Sequence, residues 1–160
     1  MDTYPSSWQP HPHQPDELRG FSFITQWGVS YQCDLTFHEL FTWPAYSIDL
    51  FYLNEGGPYP REIRLLFTVG SALAVMMQND PKTVFFYLTD HSDGREQIRV
   101  RSFLRAFKQA NPKDLKIYSL AVNDGDKAQF VGCLWHIQHP DSDRIEDVVD
   151  QEIKNFLAQK

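Results

Sequence analysis

The chain has 160 residues, 42% of them apolar and 14% aromatic, which is enough for one substantial core and too little for two comfortable domains. Its formal net charge of -6 argues against a general nucleic-acid-binding protein, because affinity for a polyanion comes mainly from Lys and Arg. No apolar run reaches the roughly 18 residues that span a bilayer, and the N-terminus lacks a basic segment followed by an apolar one. We therefore expect a cytoplasmic protein with no membrane partner.

The first segment is rich in proline, which removes backbone donors and favours extended conformers. We predict a Pro-rich N-terminal tail over residues 1–19 and a single α+β domain over residues 20–160. Apolar and polar residues then alternate from Phe21 to Phe37, with an interruption at Gln26-Trp27-Gly28. This period of two predicts an antiparallel hairpin. Cys33 lies in this pattern and Cys133 in a later strand-like one, so both are expected to be buried thiols.

A third strand is predicted over residues 46–53, followed by a helix that runs from Pro60 to about residue 78. From Leu65 to Met77 this helix is apolar nearly all round, so it is either the central helix of the fold or a subunit interface. The next strand, residues 83–89, is apolar on both faces, as in the centre of a sheet.

A basic helix over residues 94–110 follows, and then a hairpin of strands 115–122 and 128–138 around Asp124-Gly125. The last helix is predicted to begin after Pro140, with Asp141 or Ser142 as its cap. The order βββαβαββα indicates an α+β fold. We expect a mostly antiparallel sheet of about six strands with three helices, mainly on one face.

The loop between the central strand and the basic helix carries Asp90, His91 and Asp93. Two carboxylates and an imidazole could hold a divalent metal or share acid and base roles, which makes these residues the candidates for catalysis. Their spacing fits no complete metal-binding loop, and turn formation and helix capping explain them more simply. We therefore assign no catalytic residue, no metal ligand and no cofactor.

The basic helix supplies the candidate binding residues. They are Arg95, Arg99, Arg101, Arg105 and Lys108. Guanidinium groups form bidentate bonds to phosphates and carboxylates, so this helix could recognise a phosphate-bearing ligand or an acidic protein. The alternative is an ordinary solvated face whose arginines pair with carboxylates elsewhere. Residues 90–113 carry six basic and three acidic groups, a net +3, which leaves -9 for the rest of the chain.

Three short patterns resemble a small uncharacterised family of bacterial domains, found mainly in Bacteroidota. They are Phe21-Ser22-Phe23-Ile24-Thr25 with Gly28-Val29-Ser30-Tyr31, Phe85-Phe86-Tyr87-Leu88-Thr89-Asp90 with Asp93-Gly94-Arg95, and Arg99-Val100-Arg101-Ser102-Phe103. The resemblance covers roughly residues 20–140, and Thr89 stands where the family favours Cys. It implies a stand-alone cytoplasmic bacterial protein and carries no established activity.

The leading hypothesis is a non-enzymatic binding or interaction module that engages an acidic or phosphate-bearing partner through the basic helix. The first alternative is a small metal-dependent hydrolase or nuclease that uses Asp90, His91 and Asp93. The second alternative is a homodimeric scaffold built on the apolar helix.

Overall fold

A computed structural model describes residues 20–25, 28–53, 63–88, 96–110, 112–124 and 127–158. The strands and helices in these segments follow the order predicted from the sequence. They are β1 (Phe21–Ile24), β2 (Ser30–His38), β3 (Ala45–Tyr52), α1 (Ile63–Asn79), β4 (Val84–Leu88), α2 (Glu96–Ala110), β5 (Leu115–Asp124), β6 (Lys127–His136) and α3 (Ile145–Ala158). The predicted tail, residues 1–19, lies outside the described residues.

The strands form one six-stranded sheet in the order β1-β2-β3-β4-β6-β5. Neighbouring strands are antiparallel except for β3 and β4, which are parallel. A parallel pair needs a crossover connection, and α1 lies in that connection. The prediction of an α+β fold with a mostly antiparallel sheet is therefore confirmed.

The first hairpin turns at Gly28, whose φ of 76° lies in the left-handed region that glycine adopts without strain. The Gly28 amide donates to the carbonyl of Thr25 at 2.9 Å, and the Thr25 amide donates to the carbonyl of Val29 at 2.8 Å. These hydrogen bonds join the end of β1 to the start of β2, as expected for the predicted hairpin.

Helices α1 and α2 cover one face of the sheet. The buried side of α1 is formed by Val69, Leu73, Met76 and Met77, which pack in one cluster with Phe85 and Leu134 of the sheet. This burial explains why the helix is apolar on several sides, since it packs against both the sheet and α2. Of the two interpretations of the apolar helix, the central helix of the fold accounts for these contacts.

Helix α3 covers the opposite face. Its Ile145 and Val149 are almost fully buried against Trp135 and Cys133 of β6 and against Phe86 of β4. Because successive side chains of a strand point to opposite faces, Leu134 faces α1 while its neighbours face α3. Two helices therefore lie on one face and one on the other.

Gly132 is required by the close approach of Tyr87 in the neighbouring strand. The two residues are paired across β4 and β6, and the Tyr87 ring lies over the glycine. The same ring contacts Phe103 of α2, with the ring centroids 4.4 Å apart. The glycine therefore gives Tyr87 the space from which it supports α2.

The start of α3 differs from the prediction. The helix begins at Ile145, so Asp141 and Ser142 lie in the turns that precede it. Ser142 has another role there, because its hydroxyl accepts a hydrogen bond from the Trp135 indole N–H at 3.1 Å. A polar residue just before a helical pattern is usually taken as the helix cap. The sequence alone does not show that the Ser142 hydroxyl is hydrogen-bonded to a buried tryptophan instead.

The prediction of two buried thiols is confirmed. Cys33 and Cys133 are free and almost completely buried, each in the core of a different face. Burial raises the pKa of both thiols to about 12. Neither is a nucleophile near neutral pH, because the reactive form of a cysteine is the thiolate.

Candidate binding surface

Helix α2 is held on the sheet by its apolar side. Ala106 is buried, and Phe103 and Phe107 are half-buried against the cluster beneath α1. Residues three and four apart share one side of a helix, so these positions set the rotation of α2 about its axis. The apolar spacing of the sequence therefore decides which side chains meet solvent.

The opposite side of α2 carries Arg101, Arg105 and Lys108, all exposed, which we call the basic face. Their spacing of four and then three residues aligns them along the helix. At a rise of 1.5 Å per residue, the three cations span about 10 Å of its length. The basic face is thus a short positive stripe that points away from the sheet.

No described carboxylate pairs with the basic face. The ion pairs among the described side chains join Lys116 to Asp143 at 3.5 Å and Lys154 to Asp150, and neither pair involves α2. Like charges four residues apart, such as Arg101 and Arg105, destabilise a helix. Lys108 has a structural role, since it lies in the last turn, where the helix dipole favours a cation. The two arginines have no comparable role in the described part of the molecule.

The other predicted site residues fall outside this surface. Asp90, His91, Asp93 and Arg95 lie outside the described residues, and only the backbone of Arg99 is described. Within the described segments, no group of three or more His, Cys, Asp or Glu side chains is placed to hold a metal ion. The loop hypothesis therefore stays a prediction.

An apolar cavity that the sequence does not reveal lies between α1 and α2, with a volume of about 240 Å³. Its walls include small residues that leave the space open. They are Gly70, Ser71 and Ala74 of α1 and Ala106 and Ala110 of α2. The small residues in both helices could have predicted a cavity, but only once it was known which sides of the two helices face each other.

A second unpredicted feature is a polar patch on the α3 side of β2 and β3, away from α3 itself. Asp34 and Asp49 are directly opposite each other in the register of the two strands. The amide of Gln32 donates to Asp34 Oδ1 at 2.6 Å, and the His38 ring and the Ser47 hydroxyl are hydrogen-bonded at 2.9 Å. These hydrogen bonds pair Gln32 with Asp34 and His38 with Ser47, and Asp49 is exposed.

His139 is a third feature, because its imidazole is buried beside the start of α3. Its Nδ1 accepts a hydrogen bond from the Asp141 amide at 2.9 Å, and its edge meets the Trp43 ring at a centroid distance of 5.6 Å. Burial lowers the pKa of His139 from its ordinary value, and the nearby Lys82 backbone and the carboxylates of Asp141 and Asp80 oppose this only in part. The imidazole is therefore neutral in the folded protein near pH 7.

Comparison with known proteins finds no matching family model, no matching curated protein and no matching solved structure. Among the described helices, none combines the length and the apolar character that a membrane crossing requires.

Proposed function

We propose that the protein is a non-enzymatic binding module that engages an acidic or phosphate-bearing partner through the basic face of α2. The observation that carries this proposal is the position of Arg101 and Arg105. Both are exposed on one side of a helix that is anchored by its other side, and neither is paired with a described carboxylate.

The chemistry of these residues suits such a partner. A guanidinium group is planar, always charged and able to form two parallel hydrogen bonds to a carboxylate or a phosphate. A helix anchored on a sheet loses little backbone freedom on binding, so only the side chains of its cations have to be ordered. The rest of the chain is strongly acidic, so a compact anionic group fits better than an extended polyanion such as a nucleic acid.

The test uses a fluorescent hexaglutamate peptide and inorganic pyrophosphate as its competitor. Binding is followed by fluorescence anisotropy at about 0.05 M and about 0.5 M salt, since screening weakens exposed ion pairs at the higher concentration. We expect Arg105→Glu to weaken peptide binding by at least about tenfold, or about 1.4 kcal/mol.

The matched control is Lys82→Glu, which makes the same change in net charge at an exposed lysine in the turn before β4. It should leave the affinity within about twofold of the wild-type value, well below the tenfold effect. Equal losses in both variants would show that the net charge, and not α2, governs binding. Absence of binding of either probe to the wild-type protein would overturn the proposal.

We also propose that this module works in the bacterial cytoplasm. The resemblance of its short patterns to a bacterial family supports this setting. The two cysteines support it as well, since both are free in the structure, as is usual where thiols stay reduced.

A further inference from the structure

Strand β5 forms one edge of the sheet. It pairs with β6 along its whole length, from Leu115 to Asp124, and no described strand pairs with its other side. The opposite edge strand, β1, has only four residues. A ten-residue edge strand is long, and it offers a row of backbone groups to another strand.

The backbone groups that face outward can be assigned from the pairing with β6. The Ile137 amide donates to the Asp114 carbonyl at 2.9 Å, and hydrogen-bonded and non-hydrogen-bonded pairs alternate along an antiparallel ladder. The even-numbered residues of β5 therefore bond to β6. The amides and carbonyls of Leu115, Ile117, Ser119, Ala121 and Asn123 point away from it.

The usual protection of an edge strand is missing from β5. Natural sheets block their edges with prolines, bulges, charged residues or very short strands. Strand β5 contains no proline, and its register with β6 is continuous over ten pairs. From Leu115 to Asn123, Lys116 is the one charged residue. Within the described segments, the edge is therefore open to strand addition.

We propose that a second copy of this chain pairs with β5 in an antiparallel manner, about a two-fold axis at Leu120. This interface is independent of the basic face, which lies on α2. In this register Lys116 of one copy lies opposite Asp124 of the other, twice across the axis. Leu120 meets Leu120, and Tyr118 lies opposite Val122. Opposite charges and apolar residues in directly opposed positions both stabilise a strand pair.

Other registers fit less well. An axis at Ser119 would place Asp114 opposite Asp124, and like charges in opposed positions are destabilising. An axis at Tyr118 would leave the C-terminal end of β5 unpaired and place Lys116 opposite Leu120. The axis at Leu120 pairs residues 116–124, in which the outward-facing residues form four hydrogen-bonded pairs and so about eight hydrogen bonds.

The present contact of Lys116 does not compete strongly with this arrangement. Its Nζ lies 3.5 Å from Asp143, whose side chain is 97% exposed. A solvated ion pair of this kind contributes little to stability. Lys116 is therefore free to turn toward a second copy.

The first experiment measures the molecular mass by sedimentation equilibrium between about 1 and about 200 μM protein, a range that covers micromolar dissociation constants. We expect the mass to rise with concentration from 18.7 kDa to twice that value. A mass that stays at 18.7 kDa throughout the range would overturn the proposal.

The second experiment changes the edge itself. Ala121 is exposed and its amide points outward, so Ala121→Pro removes a hydrogen bond to the second copy and none to β6. We expect Ala121→Pro to be monomeric with a native circular dichroism spectrum, and the matched variant Ala121→Ser to dimerise as the wild type does. A folded Ala121→Pro dimer would contradict the proposal.

The register is tested by exchanging the charges. Lys116→Glu and Asp124→Lys should each weaken the dimer by several-fold, and the double variant should restore it. Failure of the double variant to restore the dimer would exclude the register.

If Ala121→Pro does not fold, amide exchange of the wild-type protein tests whether β5 forms the interface. The Ile117, Ser119 and Ala121 amides should exchange more slowly at high concentration than at low, and equal rates would overturn the proposal.

Discussion

Helices α2 and α3 lie on opposite faces of the sheet, have nearly the same length and carry opposite charge. Four basic residues and one acidic residue give α2 a net charge of +3 over its 15 residues. Four acidic residues and one basic residue give α3 a net charge of -3 over its 14 residues. The two helices differ in what their charges do within the molecule.

The charges of α3 contribute to the stability of the helix and its surroundings. Glu146 and Asp147 lie in its first turn, where the helix dipole favours anions. Asp150 accepts a hydrogen bond from Lys154 one turn later. Burial, together with the carboxylates of Asp150 and Glu146, raises the pKa of Tyr118, so the phenol beneath α3 stays protonated.

The charges of α2 follow a different pattern. Lys108 complements the dipole at the last turn, but Arg101 and Arg105 are neighbours of the same sign. In α3, by contrast, Lys154 lies four residues from Asp150 and is hydrogen-bonded to it. Among the described side chains, α3 therefore has an ion pair of its own, whereas Arg101 and Arg105 have no carboxylate partner.

The largest expected effect is a loss of stability that should affect α2 more than α3. Gly132→Ala would bring a Cβ atom into the ring of Tyr87, which supports α2 through Phe103. We expect a loss of about 1–3 kcal/mol in the free energy of unfolding, measured by urea denaturation. Amide exchange should accelerate in α2 more than in α3.

Gly70→Ala is the control for this prediction, because a Cβ atom there meets open space within the cavity between α1 and α2. It should raise the stability by up to about 1 kcal/mol, since glycine is unfavourable inside a helix. Equal stability of Gly132→Ala and the wild-type protein would show that the support of α2 does not depend on Tyr87.

Much of this architecture is predictable from local patterns. The alternation in β2, the pairing of β5 with β6 and the apolar side of α2 each reflect contacts between near neighbours in the sequence. The glycine at position 132 is different. It is needed because the ring of Tyr87, more than forty positions earlier in the chain, occupies the space of a Cβ atom. Sequence periodicity cannot assign such a contact until the strand register is known.

The candidate site divides in the same way. The exposure of Arg101 and Arg105 follows from the helical period, since the apolar residues of α2 lie on its other side. The absence of a described carboxylate beside them is a tertiary property, because any of the acidic residues could have folded next to α2. The buried position of His139 is tertiary as well, since it depends on Trp43 from a distant loop.

A moderate effect concerns the attachment of α3. His139 accepts a hydrogen bond from Asp141 in the turn before α3, and burial lowers the pKa of the imidazole below its ordinary value of 6.5. Below about pH 6.5 the unfolded chain therefore binds a proton that the folded protein does not. We expect the free energy of unfolding to fall as the pH decreases from about 7.5 to about 5.5.

This loss should be smaller in His139→Gln, whose side chain does not titrate, while the other histidines contribute equally to both proteins. The measurement is urea denaturation at several pH values. Parallel pH profiles for the two proteins would show that His139 does not carry the effect. Peptide binding at the basic face, on the opposite side of the sheet, should not depend on this substitution.

The smallest effect is the most direct test of the difference between the helices. Asp150→Asn keeps an oxygen that can accept a hydrogen bond but removes the negative charge that pairs with Lys154, so it should lower the urea midpoint slightly. Arg105→Gln removes one of two like charges four residues apart at little cost in helix propensity, so it should stabilise the protein by about 0.2–0.5 kcal/mol. Both effects should shrink at about 0.5 M salt, which screens exposed charges. Loss of stability in Arg105→Gln would mean that Arg105 already has a partner within the chain, and the basic face would then have a structural role like that of the charges on α3.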